Sequence, residues 1–152
     1  MEDTDRAQHE RENSPNPPIQ LAEQRRSQVE EQTTKDIFDP SSASQRLGGE
    51  RLLRKIIVLF LKNIPNVLEE VNASIAVSDG NRLERSAHSL ASSLAYLSAR
   101  LASDAALVLE QMGHNSDFST ATSASERLHL EVKRLRMGLT EFVSKENAPR
   151  ES

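Results

Sequence analysis

The chain has 152 residues, 36% of them apolar, and a formal net charge of −4, which suits one ordinary domain with tails and a modest core. It has no cysteine, which excludes a disulfide scaffold, thiolate chemistry and a Cys-ligated metal. Its basic residues are interspersed with acidic ones, unlike a nucleic-acid footprint, and its most apolar run, IIVLFL at residues 56–61, is too short to span a bilayer.

Residues 1–35 are polar, charged and proline-bearing, with few apolar side chains to offset the entropy of ordering. A disordered tail is expected there, with transient helix over residues 20–32, because Asn16-Pro17-Pro18 blocks a helix through that point. The N-terminus shows no signal-peptide pattern, so a cytoplasmic monomer without a membrane role is the expectation. The ordered domain is expected over residues 37–146, followed by a flexible C-terminus at 147–152. Asp39-Pro40-Ser41 opens a short helix, with proline in its first turn, and Gly48-Gly49 ends it after Leu47.

A long helix is predicted from Glu50 to Ile75. Leu53, Ile56, Phe60, Ile64, Val67, Val71 and Ile75 recur three or four apart, and Pro65 should bend the helix. Val58, Leu59 and Leu61 widen its apolar face and are available to pack the short first helix. Ser78-Asp79-Gly80 is a turn in which either Ser78 or Asp79 can cap the next helix. That helix has its core at Leu83, Ala87, Leu90, Leu94, Leu97 and Leu101, with a break expected near residues 98–102. Leu101, Ala105, Val108, Leu109 and Met112 form another stripe, closed by Gly113 as a cap. The last helix begins within residues 117–120, and Ala121, Ala124, Leu128, Val132, Leu135, Leu139 and Phe142 are its stripe. No segment alternates as a strand does. The expected architecture is all-α: an antiparallel four-helix bundle with a short extra N-terminal helix and a disordered N-terminal tail.

At about 100° per residue, Ala87, Leu90, Leu94 and Leu97 fall within about 40° of Leu83, whereas His88 lies roughly 140° away and points to solvent. Glu84, Ala91, Ser92, Ala95 and Ala99 share its face, with Arg85 and Arg100 at the edges. Solvated helix faces usually carry long charged side chains, and this one is low and smooth. Such a face lets another protein reach the imidazole, a nucleophile suited to transient phosphoryl acceptance. Taken alone, an exposed histidine is more often inert surface, and alanine is common in any helix.

Residues 87–99, AHSLASSLAYLSA, resemble the core motif of histidine-containing phosphotransfer (HPt) domains, which runs roughly Ala-His-x-Leu-Lys-Gly-Ser. Phe38-Asp39, Phe60, Leu61, Pro65, Asp79 and Leu109-Glu110 followed by Gly113 fall where that family has similar residues, so the resemblance covers about residues 37–144. It implies that His88 is the phosphorylated residue of a two-component phosphorelay. The group would come from a receiver-domain aspartate and pass to another receiver. Glu84, Arg85, Ala91, Ser92, Ala95 and Ala99 would form the supporting and docking surface. The implied partners are response-regulator receiver domains and a hybrid histidine kinase. The chain itself would bind no cofactor or metal and catalyse nothing, the Mg²⁺ lying in the partner receiver. Ala91 and Ser92 stand where the family has lysine and glycine, and Ser98 replaces another usual glycine at a close helix approach. The alternative is therefore a degenerate module that docks receivers without transferring phosphate.

Other chemistry has little support. There is no Gly-rich phosphate loop and no HExxH. Glu126 and His129 have the Glu-x-x-His spacing of di-metal bundles once only, and both are expected to face outward. His114 is read as a turn residue at the surface, and His9 lies in the tail.

Overall fold

The computed structural model describes residues 17–147, and among them six helices and no strand. These are α1 (Pro17–Ile37), α2 (Pro40–Leu47), α3 (Glu50–Ala76), α4 (Gly80–Tyr96), α5 (Arg100–His114) and α6 (Ala121–Asn147). The chain divides into two units at Thr33/Thr34. Of the expected tail, residues 1–16 lie outside the described residues, as do 148–152. Residues 17–35 are helical, over a longer span than the transient helix expected at 20–32. Every described side chain from 19 to 35 is exposed, so burial does not hold this helix. Its run of Leu, Ala, Glu, Gln and Arg has high intrinsic helix propensity, and Pro17 occupies a first-turn position that tolerates proline.

In the second unit, Asp39 caps α2 by accepting a hydrogen bond from the Ser42 N–H at 3.1 Å. Helices α3, α4, α5 and α6 then close a ring in which α3 packs on α4, α4 on α5, α5 on α6 and α6 on α3. Leu53, Ile57, Ile64 and Val71 of α3 meet Leu83, Leu90 and Leu94 of α4, Ala102, Ala106 and Leu109 of α5, and Leu128, Val132, Leu135 and Leu139 of α6. Helix α3 runs unbroken through Pro65, whose side chain is on the exposed face. Val58 and Leu59 stay exposed and do not pack under α2, because the buried stripe centres on Ile57 and Ile64. Among the described residues no helix is long and apolar enough to cross a membrane.

The three turns of the ring are built alike. Ser78, Ser98 and Ser116 all have positive φ, at 53°, 53° and 50°. In each turn the serine N–H and the one after it donate back to the last helical carbonyls: Ser78 to Ile75 and Asp79 to Ser74, Ser98 to Ala95 and Ala99 to Leu94, Ser116 to Gly113 and Asp117 to Met112. This is the Schellman closure, with serine at the left-handed position that glycine usually fills. At Ser98 the left-handed backbone would favour glycine, and the start of α2 also comes close, with the Asp39 N–H donating to the Ser98 carbonyl at 3.1 Å.

Helix α5 differs from expectation on its buried face. Val108 is exposed, and the face against α4 is small: Ala102, Ser103, Ala105, Ala106 and Gly113. Gly113 is helical and buried, so it is not a cap. A Cβ there would lie 2.5 Å from the Glu84 backbone N and 2.7 Å from the Gly80 carbonyl O. Glycine thus allows the last turn of α5 to touch the first turn of α4. At mid-seam the Ser103 hydroxyl donates to the Ala91 carbonyl at 3.1 Å.

Candidate functional site

Helix α4 starts at Asp79, whose carboxylate accepts from the Arg82 N–H at 3.1 Å, so Asp79 and not Ser78 is the cap. From there the leucine stripe faces inward and His88 stands 65% exposed. Its Nδ1 lies 2.7 Å from Oε1 of Glu110 on α5. An ionised carboxylate only accepts, so Nδ1 carries the proton and the Nε2 lone pair points away from the pair. Among the described residues Nε2 has no hydrogen-bond partner. The ring is therefore held in one tautomer and one orientation with its nucleophilic nitrogen outward.

A second pair sits one turn along the same seam, where His114 Nδ1 lies 3.0 Å from Glu84 Oε1. Residues ascend on α4 (84, 88) as they descend on α5 (114, 110), which is the antiparallel arrangement. Beside it, Arg82 bonds Glu70 of α3 through Nε at 2.5 Å and Nη2 at 2.9 Å. These hydrogen bonds hold the Glu70 carboxyl below the usual carboxylate range, and the charge of the nearby Arg85 acts in the same direction.

The residues expected around His88 differ in exposure. Arg85, Ser92 and Ala95 are exposed with His88, and Ser89 and Tyr96 join them. Glu84 is half-buried and turned to His114. Two positions need correction. Ala91 is only 4% exposed, because it lies on the flank of His88 nearer the core stripe and α5 covers it. Ala99 is fully buried, because α4 ends at Tyr96 and the left-handed Ser98 carries the chain off that helix before Ala99. Arg100 is not free to serve the site, being paired with Asp36 at 2.7 Å and Asp104 at 3.3 Å. Arg46 of α2 donates to the Ala95 carbonyl at 2.7 Å and so brings a cation to the far end of the face.

Glu110, absent from the residues expected around His88, joins them in the structure. Its signal in the sequence is Leu109-Glu110 followed by Gly113, which there marks the resemblance alone. The remaining described histidine, His129, has both ring nitrogens engaged. Nδ1 meets the Ser125 carbonyl at 2.8 Å, and Nε2 meets the Asn72 amide nitrogen at 3.3 Å. His9 lies outside the described residues. Among the described residues no group of three or more His, Asp or Glu could hold a metal ion.

The Hpt domain family matches residues 55–138, a span that holds both His88 and Glu110. The chain belongs to that family. Membership supports a general role in phosphorelay signalling, with which a carrier role is consistent. It also implies the family's class of partners, receiver domains and hybrid kinases. No curated protein and no solved structure gives a significant match.

Proposed function

We propose that this Hpt domain is a phosphorelay intermediate that accepts a phosphoryl group on His88 Nε2 and hands it to a second receiver. The single observation that supports this most is the Glu110–His88 pair, which leaves one nitrogen free on an exposed, oriented ring. In the step, the Nε2 lone pair attacks phosphorus of an aspartyl phosphate. The N–P bond forms as the acyl P–O bond breaks, and the aspartate leaves as a carboxylate. The imidazole gains positive charge while Nδ1 keeps its proton, and Glu110 stabilises that charge. Return transfer reverses each bond change. Mg²⁺ would lie in the receiver. Ser89, Ser92 and Ala95 keep the approach low, and the exposed Ser92 hydroxyl is one turn beyond His88.

Incubation with a phosphorylated receiver and Mg²⁺ should produce an acid-labile, alkali-stable phosphoprotein. His88→Gln should remove the label. Label that persists unchanged, or that lies on His129, would overturn the assignment. One observation favours a second reading, docking without transfer. The lysine usual after the histidine is Ala91, which supplies no charge for the roughly two negative charges of a phosphoryl group. Receiver binding with no label on any histidine would support that reading.

A further inference from the structure

Helices α4 and α5 carry the same short pattern, a glutamate followed four residues later by a histidine: Glu84 with His88, and Glu110 with His114. Packed antiparallel, each helix lends its glutamate to the other's histidine. His114 consequently repeats the arrangement of His88. It is 63% exposed against 65%, its Nδ1 faces a carboxylate at 3.0 Å against 2.7 Å, and among the described residues its Nε2 has no partner. Two histidines on one surface with matched tautomers differ from His129, whose nitrogens are both engaged. The end of the seam that carries His114 is also the end fixed by backbone contact between Gly80 and Gly113. That contact sets the separation of α4 and α5 beside Glu84, so the second pair is positioned by the fold and not by chance side-chain reach.

We propose that His114 is a second phosphoryl-accepting site, with Glu84 as its positioning residue. It would take phosphoryl groups from small-molecule donors with an activated P–N bond. The chemistry is that argued for His88, but the inference stands on a different pair and is read on a different peptide. With phosphoramidate as donor, Nε2 of His114 attacks phosphorus and the N–P bond forms. The donor's own P–N bond breaks and ammonia leaves with its protons. Nδ1–H stays on the Glu84 carboxylate, which stabilises the positive ring.

The test is phosphoramidate labelling of the whole chain at neutral pH, followed by peptide mapping under alkaline conditions. The peptides of His88 and His114 should both be labelled, and that of His129 should lag far behind. His88→Gln should leave the His114 label intact. Glu84→Gln should slow labelling at His114 on the order of tenfold, the effect of weakening one hydrogen bond to a charged group, and should slow His88 far less. Glu110→Gln should do the converse. Long-range imidazole ¹H–¹⁵N NMR gives a readout independent of labelling. It should show the Nδ1–H tautomer at both histidines and its loss at His114 alone in Glu84→Gln. A His114 label absent, or equal to that of His129, would overturn the proposal. So would a rate at His114 indifferent to Glu84, since exposure alone would then explain it. A failure at His88 with His114 labelled would instead strike the reading of His88.

Discussion

The bundle has two seams with histidine among polar neighbours, and they differ in what the second ring nitrogen does. In the α3–α6 seam, His129 bridges the Ser125 carbonyl and the Asn72 amide, while the Ser125 hydroxyl donates to Asn72 Oδ1 at 2.9 Å. That ring is a half-buried connector with no nitrogen left for chemistry. In the α4–α5 seam, His88 gives one nitrogen to Glu110 and presents the other to solvent. Each histidine is held by the facing helix, yet only one arrangement leaves a nucleophile. What counts is therefore not exposure alone but a ring fixed from one side only.

Glycine tolerance also differs between the α4–α5 seam and the part of α6 that faces Phe38, and the largest expected effect lies there. Gly113→Ala puts a Cβ against backbone atoms of α4 at 2.5–2.7 Å, so it should lower stability by about 2–4 kcal/mol. Gly138 of α6 has nothing nearer than the Phe38 Cβ at 3.9 Å. Gly138→Ala should be neutral or stabilise by up to about 1 kcal/mol, from helix propensity. Urea unfolding of both variants decides the matter, and equal effects would mean that α4 and α5 are not in backbone contact.

Exchanging the two histidines' roles sharpens the comparison next. His129→Ala removes two hydrogen bonds of the α3–α6 seam and should cost about 1–2 kcal/mol of stability. Phosphoryl acceptance should be untouched. His88→Gln should change stability by less than about 0.5 kcal/mol, as at most exposed sites.

Ala91→Lys has a smaller effect of mixed sign. Because Ala91 is buried beneath α5, the lysine stem must emerge between two close helices, at a cost of roughly 1–2 kcal/mol. Its ammonium, once outside, would aid phosphorylation of His88 by at most about 1 kcal/mol, less at high salt. Melting curves and transfer time courses at two salt concentrations read both effects. An unchanged melting temperature would show the seam to be looser at Ala91 than described. Smaller still is Ser98→Gly. Relief of the left-handed serine, about 1 kcal/mol, is set against loss of the 3.0 Å hydrogen bond to Ser42, so the net gain should be between zero and about 1 kcal/mol.

Much of this was legible in the sequence because it depends on one helix at a time. The α2 limits followed from Asp39-Pro40 and Gly48-Gly49, and the α4 stripe followed from leucine spacing, which also turned His88 outward. What depends on two helices was not legible. Glu110 reaches His88 only through the packing of α5 on α4, and no single-helix periodicity contains that distance. Ala91 looked exposed because its angle lies between core and surface, and α5 decides which. Ala99 was misplaced by extending the helical wheel beyond Tyr96, across a turn whose left-handed residue is serine and not the glycine that would have marked it. The small face of α5 was hidden because alanines and a glycine are weak signals next to Val108 and Leu107, both of which are exposed. The low hydrophobicity of residues 17–35 argues against burial, and α1 is helical without it.

By our proposal, a one-sided grip by Glu110 makes His88 the phosphoryl acceptor. Its most direct test is the rate of transfer from a phosphorylated receiver, with Mg²⁺, to wild type, Glu110→Gln and His88→Gln, with the label localised on each. The account predicts label on the His88 peptide of wild type. Transfer should slow on the order of tenfold in Glu110→Gln, as for loss of a charged hydrogen bond, and no label should appear at position 88 in His88→Gln. A Glu110→Gln variant as fast as wild type, or receiver-derived label lying elsewhere in wild type, would contradict it.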